Sequence, residues 1–339
     1  MRKLLFALVL LIGLVYLFSR LAEIENVLAT LQRGKMRFIL LALLAQAAWL
    51  VSAAAVLRAV YRNLGIEEHL GDLVMLIAAA NFVNIITPSA GVGGVALFIG
   101  EARRKDYSAG QATVASALYI LFDYLGFLCV LALGIIVLFR RDQLEVSEII
   151  ASILMLLLAL LLATILYLGT RRGDRLERFL TWGVTRINRL IQTFRGKKRG
   201  PWLSHERATN FARDITSGLA SFRTRPKDLI WPLLLALSGK TLLLTVMFLV
   251  FMAFQVPVSV GTIIAGFSVA FLFTIISPTP SGLGFVEGAL TLTLASFFIP
   301  LHESTVVAVA YRGITFWAML LFGLFALRWI SKRQTRPTS

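Results

Sequence analysis

Six apolar runs, each close to the length that crosses a lipid bilayer, dominate this sequence. They cover residues 3–19, 38–60, 108–139, 149–170, 228–254 and 304–330. A transmembrane helix needs about 20 consecutive apolar residues, and its internal hydrogen bonds satisfy the backbone groups that hydrocarbon cannot. Only 15% of the residues are charged, against about 25% in soluble domains. The sequence therefore predicts an all-α, polytopic helical membrane protein with about six full spans.

Positive charge predicts the orientation of these spans. The sequence has 34 Lys and Arg residues against 18 Asp and Glu residues, and fifteen of the basic residues lie between positions 171 and 227. Positively charged loops remain on the cytoplasmic side. We therefore expect a multi-pass protein of the cell (plasma or inner) membrane with both termini in the cytoplasm, and no nucleic-acid partner.

The basic loop at 171–227 also carries apolar residues at helical spacing, which predicts helices lying in the membrane interface. Such helices would attract anionic lipid headgroups at the cytoplasmic face. The alternative is that the loop only determines topology. Membrane lipids are the expected partners, and the sequence leaves homo-oligomerisation open.

Two Pro- and Gly-containing stretches interrupt the apolar sequence, namely IITPSAGVGG at 85–94 and IISPTPSGLG at 275–284. The return limb 92–100 has nine residues, about 14 Å of helix, whereas the hydrocarbon core is about 30 Å thick. We therefore predict two re-entrant helical hairpins, over 72–100 and 261–300. The expected hairpin-forming residues are Pro88, Gly91, Gly93, Gly94, Pro278, Pro280, Gly282 and Gly284.

The order span, span, hairpin, span occurs twice, and the charged loops place the second copy upside down. This predicts an inverted repeat, with residues 1–139 as the first membrane repeat and 140–339 as the second, which includes the basic cytoplasmic loop. Short matches such as IITP against IISP lie 190 residues apart. Broken helices in inverted repeats are typical of transporters with a site near the bilayer midplane; glycines that only permit close helix packing are the alternative.

Four charged residues lie within the apolar segments, namely Asp123, Lys240, Glu287 and Arg312. Each would cost about 3 kcal/mol at the bilayer centre if unpaired, which predicts the pairs Asp123–Lys240 and Glu287–Arg312. These pairs either are structural or meet a headgroup in transit. The complete predicted substrate-binding set is Asn81, Asn84, Thr87, Asp123, Lys240, Ser277, Thr279, Ser281, Glu287 and Arg312.

Residues for metal or nucleophilic catalysis are sparse. Cys129 stands alone in an apolar run, and His69, His205 and His302 are far apart in the sequence, so no zinc-ligand or Cys/His spacing is present. We expect no catalytic residue, no metal and no cofactor, and hence no enzymatic activity.

The segments NFVNIITPSAGVGG with GEARRKDYS, and SPTPSGLGFVEGAL with AVAYRGITFW, resemble the transmembrane family of lysylphosphatidylglycerol synthetases, which are also described as flippase-like membrane proteins. The second motif maps onto Pro278 or Pro280, Gly282, Gly284, Glu287 and Arg312. The first maps more loosely onto Asn81, Pro88, Gly100, Glu101 and Arg103.

In the synthetases a soluble aminoacyl-transfer domain follows the membrane part, whereas this sequence stops at Ser339. The resemblance therefore implies lipid translocation without synthesis. The expected function is movement of a phospholipid or polyprenyl-linked lipid whose headgroup passes through a polar midplane cavity. The alternatives are an intramembrane transferase acting on a lipid-linked substrate and a non-transporting scaffold or regulatory subunit.

Overall fold

A computed structural model of the chain describes residues 21–86, 92–105, 107–140, 226–277 and 279–334, with single positions between 149 and 164. Its regular elements are all helical in these ranges. The α-helices are α1 Leu21–Arg33, α2 Met36–Asn63, α3 Leu70–Ile86, α4 Val92–Arg104, α5 Ala109–Arg140, α6 Ile230–Phe254, α7 Val260–Ile276, α8 Phe285–Ser296, α9 Leu301–Arg312 and α10 Ala318–Gln334. The predicted span 3–19, most of 149–170 and the basic loop up to residue 225 lie outside the described residues.

Four helical segments within the described residues are long and apolar enough to cross a membrane. They are Met36–Asn63, Ala109–Arg140, Lys227–Phe254 and Leu301–Lys332, of 28 to 32 residues, which corresponds to about 42–48 Å at helical rise. Four of the six predicted spans are thereby confirmed as long apolar helices. The all-α, polytopic fold class is confirmed with them.

Helices α2 and α6 form the most extensive helix pair, and they run antiparallel. At one end the Lys35 backbone N–H donates to the Ala253 carbonyl at 2.9 Å. At the other end Asn63 Nδ2 donates to the Asp228 carbonyl at 3.2 Å. The Asn63 end adjoins the basic loop, so it is the end that the charge pattern predicts to be cytoplasmic.

Helices α3 and α4 pack against each other as a hairpin. Its open end is fastened on one side of the bundle, because Lys105 pairs with Glu68 and the Tyr107 hydroxyl donates to the Glu67 carbonyl. At 17 and 13 residues, the helices measure about 25 and 20 Å. The return limb continues to Arg104 and is longer than the nine residues predicted.

Helices α7 and α8 form the second hairpin, which opens at the opposite end of the bundle. Near its open end, Gly261 lies against Val137 in the last turns of α5, and Leu138 shares a buried cluster with Phe297. The two hairpins therefore enter the bundle from opposite ends.

The first helix of each hairpin packs on a long helical segment from the other half of the chain. Helix α3 packs on α10, and α7 packs on α5. Both crossings are close at glycine: a Cβ on Gly323 would lie 2.6 Å from the Ala78 carbonyl oxygen, and one on Gly134 would lie 2.8 Å from the Ser268 Cβ. Ala78 and Ser268 are 190 residues apart, and Gly134 and Gly323 are 189 apart. Small residues are what such close approach requires.

Two features of the fold were not predicted. Helix α1 is an additional helix between the first two predicted spans, and its Val27 packs against Gly313. The last span begins at Leu301 and contains a π-helical turn at Gly313–Trp317, directly after Arg312. Such turns are often found at functional sites, and no sequence period distinguishes them from ordinary helix.

Candidate substrate site

A cavity of about 270 Å³ lies where the tip of the first hairpin meets the middle of the long helices. Helices α2, α3, α4, α5, α6 and α7 all contribute to its wall. It brings together four of the ten predicted substrate-binding residues, namely Asn81, Asn84, Asp123 and Lys240. We call it the central cavity.

The charged centre of the cavity is an ion pair between α5 and α6. Lys240 Nζ lies 2.6 Å from Asp123 Oδ1, and the exposed fractions of the two side chains are 2% and 33%. The ammonium also lies 4.3 Å from the centroid of the Phe271 ring, which attracts it through the ring quadrupole. The predicted pairing of Asp123 with Lys240 is confirmed.

A glycine lets this pair form between two packed helices. Gly126, one turn after Asp123, faces Ala236, one turn before Lys240, and a Cβ there would lie 3.3 Å from the Ala236 carbonyl group. The short interhelical distance places the carboxylate within reach of the ammonium. Both residues line the cavity, and the lysine is the more buried member of the pair.

The tip of the first hairpin contributes neutral polar groups. Asn84 Oδ1 accepts a hydrogen bond of 2.7 Å from the backbone N–H of Gly94, across the break. A Cβ on Gly94 would lie 2.7 Å from Asn84 Nδ2, so the contact requires glycine. Asn81 Nδ2 donates to the Ile77 carbonyl at 3.0 Å, while Gly93 lies in the first turn of α4. Thr87, Pro88 and Gly91 lie outside the described residues.

The second charged pair fastens the second hairpin to α9. Arg312 Nε donates to Glu287 Oε1 at 3.0 Å, and Arg312 Nη2 donates to the Ser281 carbonyl at 2.9 Å. The other carboxylate oxygen of Glu287 accepts the Gly284 backbone N–H at 2.8 Å. The predicted pairing of Glu287 with Arg312 is confirmed, and both side chains also satisfy backbone groups that the break leaves without helical partners.

The turn of the second hairpin requires left-handed backbone. Ser281, Gly282 and Gly284 have φ of 51°, 76° and 79°, in the region that glycine adopts most readily. A Cβ on Gly282 would lie 2.4 Å from Val286 Cγ2. Pro280 begins the short 3-10 turn Pro280–Gly282, and Pro278 lies outside the described residues.

Two hydroxyl groups of the predicted set also serve this turn. The Ser277 and Thr279 hydroxyl oxygens lie 2.9 Å apart, and the Thr279 hydroxyl donates to the Leu283 carbonyl at 2.9 Å. The predicted residues therefore separate into two groups. One group lines the central cavity, and the other, which includes Ser281, Glu287 and Arg312, holds the second hairpin in shape.

The tips of the two hairpins meet inside the bundle. Helix α3 contacts the Pro280–Gly282 turn, and Phe82 and Ile85 pack against the buried cluster that contains Leu283. The group that holds the second hairpin is thus next to the hairpin that lines the cavity.

Several aromatic cavity residues escaped sequence reasoning because aromatic side chains, at 11% of the sequence, are common in its apolar runs. Trp49, Tyr119, Tyr124 and Phe271 all line the cavity. Tyr119 lies four residues before Asp123 and hence on the same helix face, which is the one sequence signal that could have identified it.

The residues of the first motif that follow the hairpin lie at its open end. Glu101 pairs with Arg104, and this hydrogen bond raises the pKa of the Arg104 guanidinium. Arg103 is exposed, and no neighbour approaches a Cβ built on Gly100. Glu101 therefore belongs to a charged cluster at the surface, with Glu68 and Lys105.

Comparison with known proteins identifies the family. Residues 4–323 match the family described as Lysylphosphatidylglycerol synthase TM region. The chain belongs to this family. It is also similar to a UPF0104 membrane protein of Methanothermobacter thermautotrophicus strain Delta H, with 27% identity over 282 residues, covering 80% of this chain and 77% of the relative. The resemblance stated from the hairpin motifs is confirmed, and the family is one of membrane proteins.

Proposed function

We propose that this chain is a lipid translocase, in which the headgroup of a phospholipid or polyprenyl-linked lipid passes through the central cavity while its acyl or prenyl tails remain in the bilayer. One observation carries this proposal: a buried ion pair lines a cavity of about 270 Å³ at mid-helix depth. A charged group and a space for a ligand thus occur together where hydrocarbon would otherwise surround the helices.

The proposal includes re-entrant hairpins in an inverted repeat. Helices α3, α4, α7 and α8 have 12 to 17 residues, below the about 20 residues of a full span. Interrupted helices at membrane depth are tolerated where they line a cavity or are buried in protein. The opposite openings of the two hairpins and the glycine crossings 189 and 190 residues apart support the repeat.

Within this proposal, Lys240 binds the phosphate of the headgroup and Asp123 is its counter-ion between transport events. Exchanging one anion for another keeps the ammonium paired throughout, which avoids the cost of about 3 kcal/mol for an unpaired charge in the membrane. Asn81 and Asn84 would donate or accept neutral hydrogen bonds in the same cavity. No bond is made or broken in this process, so the protein acts without enzymatic chemistry.

Glu287 and Arg312 have a positioning role in the proposal. Their hydrogen bonds go to each other and to the Ser281 and Gly284 backbone. They hold the turn of the second hairpin beside the first, and thereby fix the wall of the cavity.

The test is lipid translocation in liposomes that contain the purified chain and fluorescent NBD-labelled lipids with phosphatidylglycerol, phosphatidylcholine or polyprenyl-phosphate headgroups. Dithionite quenches the label only in the outer leaflet, so translocation appears as loss of the protected signal. Lys240→Met should abolish the loss seen with the wild type. Thr241→Val, at the exposed neighbouring residue on the same helix, should retain it.

Wild-type liposomes that protect as much signal as empty liposomes, for every headgroup, would refute the translocase proposal. Equal translocation by wild type and by folded Lys240→Met would remove the lysine from the mechanism.

A further inference from the structure

A second cavity, of about 310 Å³, lies at the end of the α2–α6 pair that the charge pattern predicts to be cytoplasmic. Arg58 and Arg62 line it from α2, and Asp228 and Trp231 line it from the start of the partner helix. Two guanidinium groups against one carboxylate leave a net positive charge. We call it the entry cavity.

Arg58 has unused hydrogen-bonding capacity at this cavity. Its Nε is buried, and no acceptor within the described part of the chain accepts its hydrogen. A buried donor without a partner is unfavourable, so the position favours an acceptor that arrives from outside. Arg58 and Arg62 are four residues apart, on one face of α2, and guanidinium groups so placed match the geometry of phosphate oxygens.

The rim of the entry cavity carries apolar side chains. Trp231 is 62% exposed, and Ile230 and Leu234 beside it are exposed as well. Tryptophan is enriched at the depth of lipid headgroups, and exposed aliphatic side chains next to it indicate a surface that faces acyl chains. The cavity thus offers cationic groups to a ligand and an apolar border to its tails.

A small space along the α2–α6 seam lies between the entry cavity and the central cavity. This space, of about 10 Å³, shares Leu235 with the entry cavity and shares Trp49, Tyr119 and Asp123 with the central cavity. Its volume is about that needed for one water molecule. Ser52 lines this space and donates a hydrogen bond to the Leu235 carbonyl at 2.9 Å, across the seam.

We propose that Arg58 and Arg62 form a receiving site for the phosphate of an anionic lipid of the cytoplasmic leaflet. This inference rests on the proposed translocase function and names the substrate class as lipids with a phosphate headgroup of net negative charge. The apolar side chains at the rim favour a lipid over a free anion as the ligand.

The experiment measures lipid binding separately from translocation. The purified full chain is titrated with phosphatidylglycerol or phosphatidylcholine, and the bound lipids are counted by native mass spectrometry. Arg58→Gln/Arg62→Gln should weaken phosphatidylglycerol binding about tenfold or more, because two charge-assisted hydrogen bonds are lost. Binding of phosphatidylcholine should fall less, because its choline ammonium leaves that lipid with no net charge.

Two further variants distinguish loss of the arginine donors from misfolding and from loss of surface charge. Arg58→Lys/Arg62→Lys retains the charges but not the fork of donors, so it should bind phosphatidylglycerol more weakly than the wild type. This comparison remains available if the Gln pair fails to fold. Arg103→Gln, at an exposed arginine of the same end of the bundle, is the matched control for loss of surface charge and should bind as the wild type does.

Unchanged phosphatidylglycerol binding in the folded Gln or Lys pair would overturn the proposed site. Displacement of phosphatidylglycerol by an equal concentration of inorganic phosphate would show that the site takes the free anion, and would overturn its assignment to a lipid. Arginine-dependent binding without translocation by the wild type would refute the translocase function alone. Translocation by the wild type with binding independent of both arginines would refute this inference alone.

Discussion

Asp123→Asn should destabilise the protein more than Lys240→Met, although both variants break the same ion pair. The reason is the difference in exposure, since the lysine side chain is 2% exposed and the aspartate side chain 33%. Replacing the carboxylate by an amide leaves the ammonium of a nearly fully buried side chain without its counter-ion, beside the Phe271 ring. Removing the ammonium leaves a carboxylate that water in the central cavity can still solvate.

The magnitudes follow from these environments. An unpaired charge in the membrane interior costs about 3 kcal/mol, and the same order is found when one partner of a buried pair is removed. A partly exposed carboxylate that loses its partner should cost about 1 kcal/mol or less. The double variant Asp123→Asn/Lys240→Met contains neither charge, so its loss should be close to that of Lys240→Met.

The assay is thermal unfolding of the detergent-purified chain, followed by tryptophan fluorescence. At about 2 °C per kcal/mol for a large domain, Asp123→Asn should lower Tm by about 6 °C and Lys240→Met by about 2 °C. Thr241→Val is the control for a substitution at the neighbouring position. A larger loss for Lys240→Met, or a double variant as unstable as the sum of the single ones, would refute the assignment of the lysine as the buried member.

Three further predictions concern the hairpins. Arg312→Lys cannot donate to a carboxylate and to a carbonyl in the geometry of the fork, and loss of one charged hydrogen bond should lower the free energy of unfolding by about 1.5–3 kcal/mol; an unchanged Tm would contradict this. Gly282→Ala should lower the free energy of unfolding, measured with denaturant, by at least about 1–2 kcal/mol because Gly282 has left-handed backbone. Gly288→Ala is the control, since nothing lies within 4 Å of a Cβ built there, and it should be neutral or stabilising. A larger loss for Gly288→Ala than for Gly282→Ala would contradict the left-handed turn. Asn84→Ala removes the acceptor for the Gly94 N–H and should cost about 1 kcal/mol, which would appear as faster hydrogen exchange of the Gly94 amide. Asn84→Asp keeps an acceptor and should keep that amide protected. Equal exchange in the wild type and the Ala variant would contradict the hydrogen bond between Asn84 and Gly94.

Much of the fold could be predicted because its causes are local in sequence. An apolar run of about 20 residues has few alternatives to a spanning helix, and four such runs are long helices among the described residues. Pro and Gly locate the breaks for a similarly local reason, since they end helices or permit turns. Helix α1 was missed because a short amphipathic helix beside long apolar runs gives a weak signal by comparison.

The two ion pairs could be predicted as well, because four charges of two signs within apolar segments leave few ways to avoid the cost of an unpaired charge in the membrane. Their different roles could not. The sequence does not show that Glu287 and Arg312 also bond to the backbone of the turn, or that Lys240 lies beside a cavity. These properties depend on contacts in space between segments that are far apart in the sequence.

The sequence by itself determined that this chain is an all-α membrane protein of the Lysylphosphatidylglycerol synthase TM region family, with two interrupted helices and charges that require partners. The energy of removing backbone and charged groups from water acts on each segment separately, so it can be read along the chain. Only the tertiary structure decided which polar residues share a cavity and which hold a turn, and that Arg58 and Arg62 line a second cavity on the same helix pair. Those outcomes depend on where glycines allow helices to cross closely, such as Gly126 against Ala236. The distance between two helices depends on both of them together, so neither segment predicts it alone.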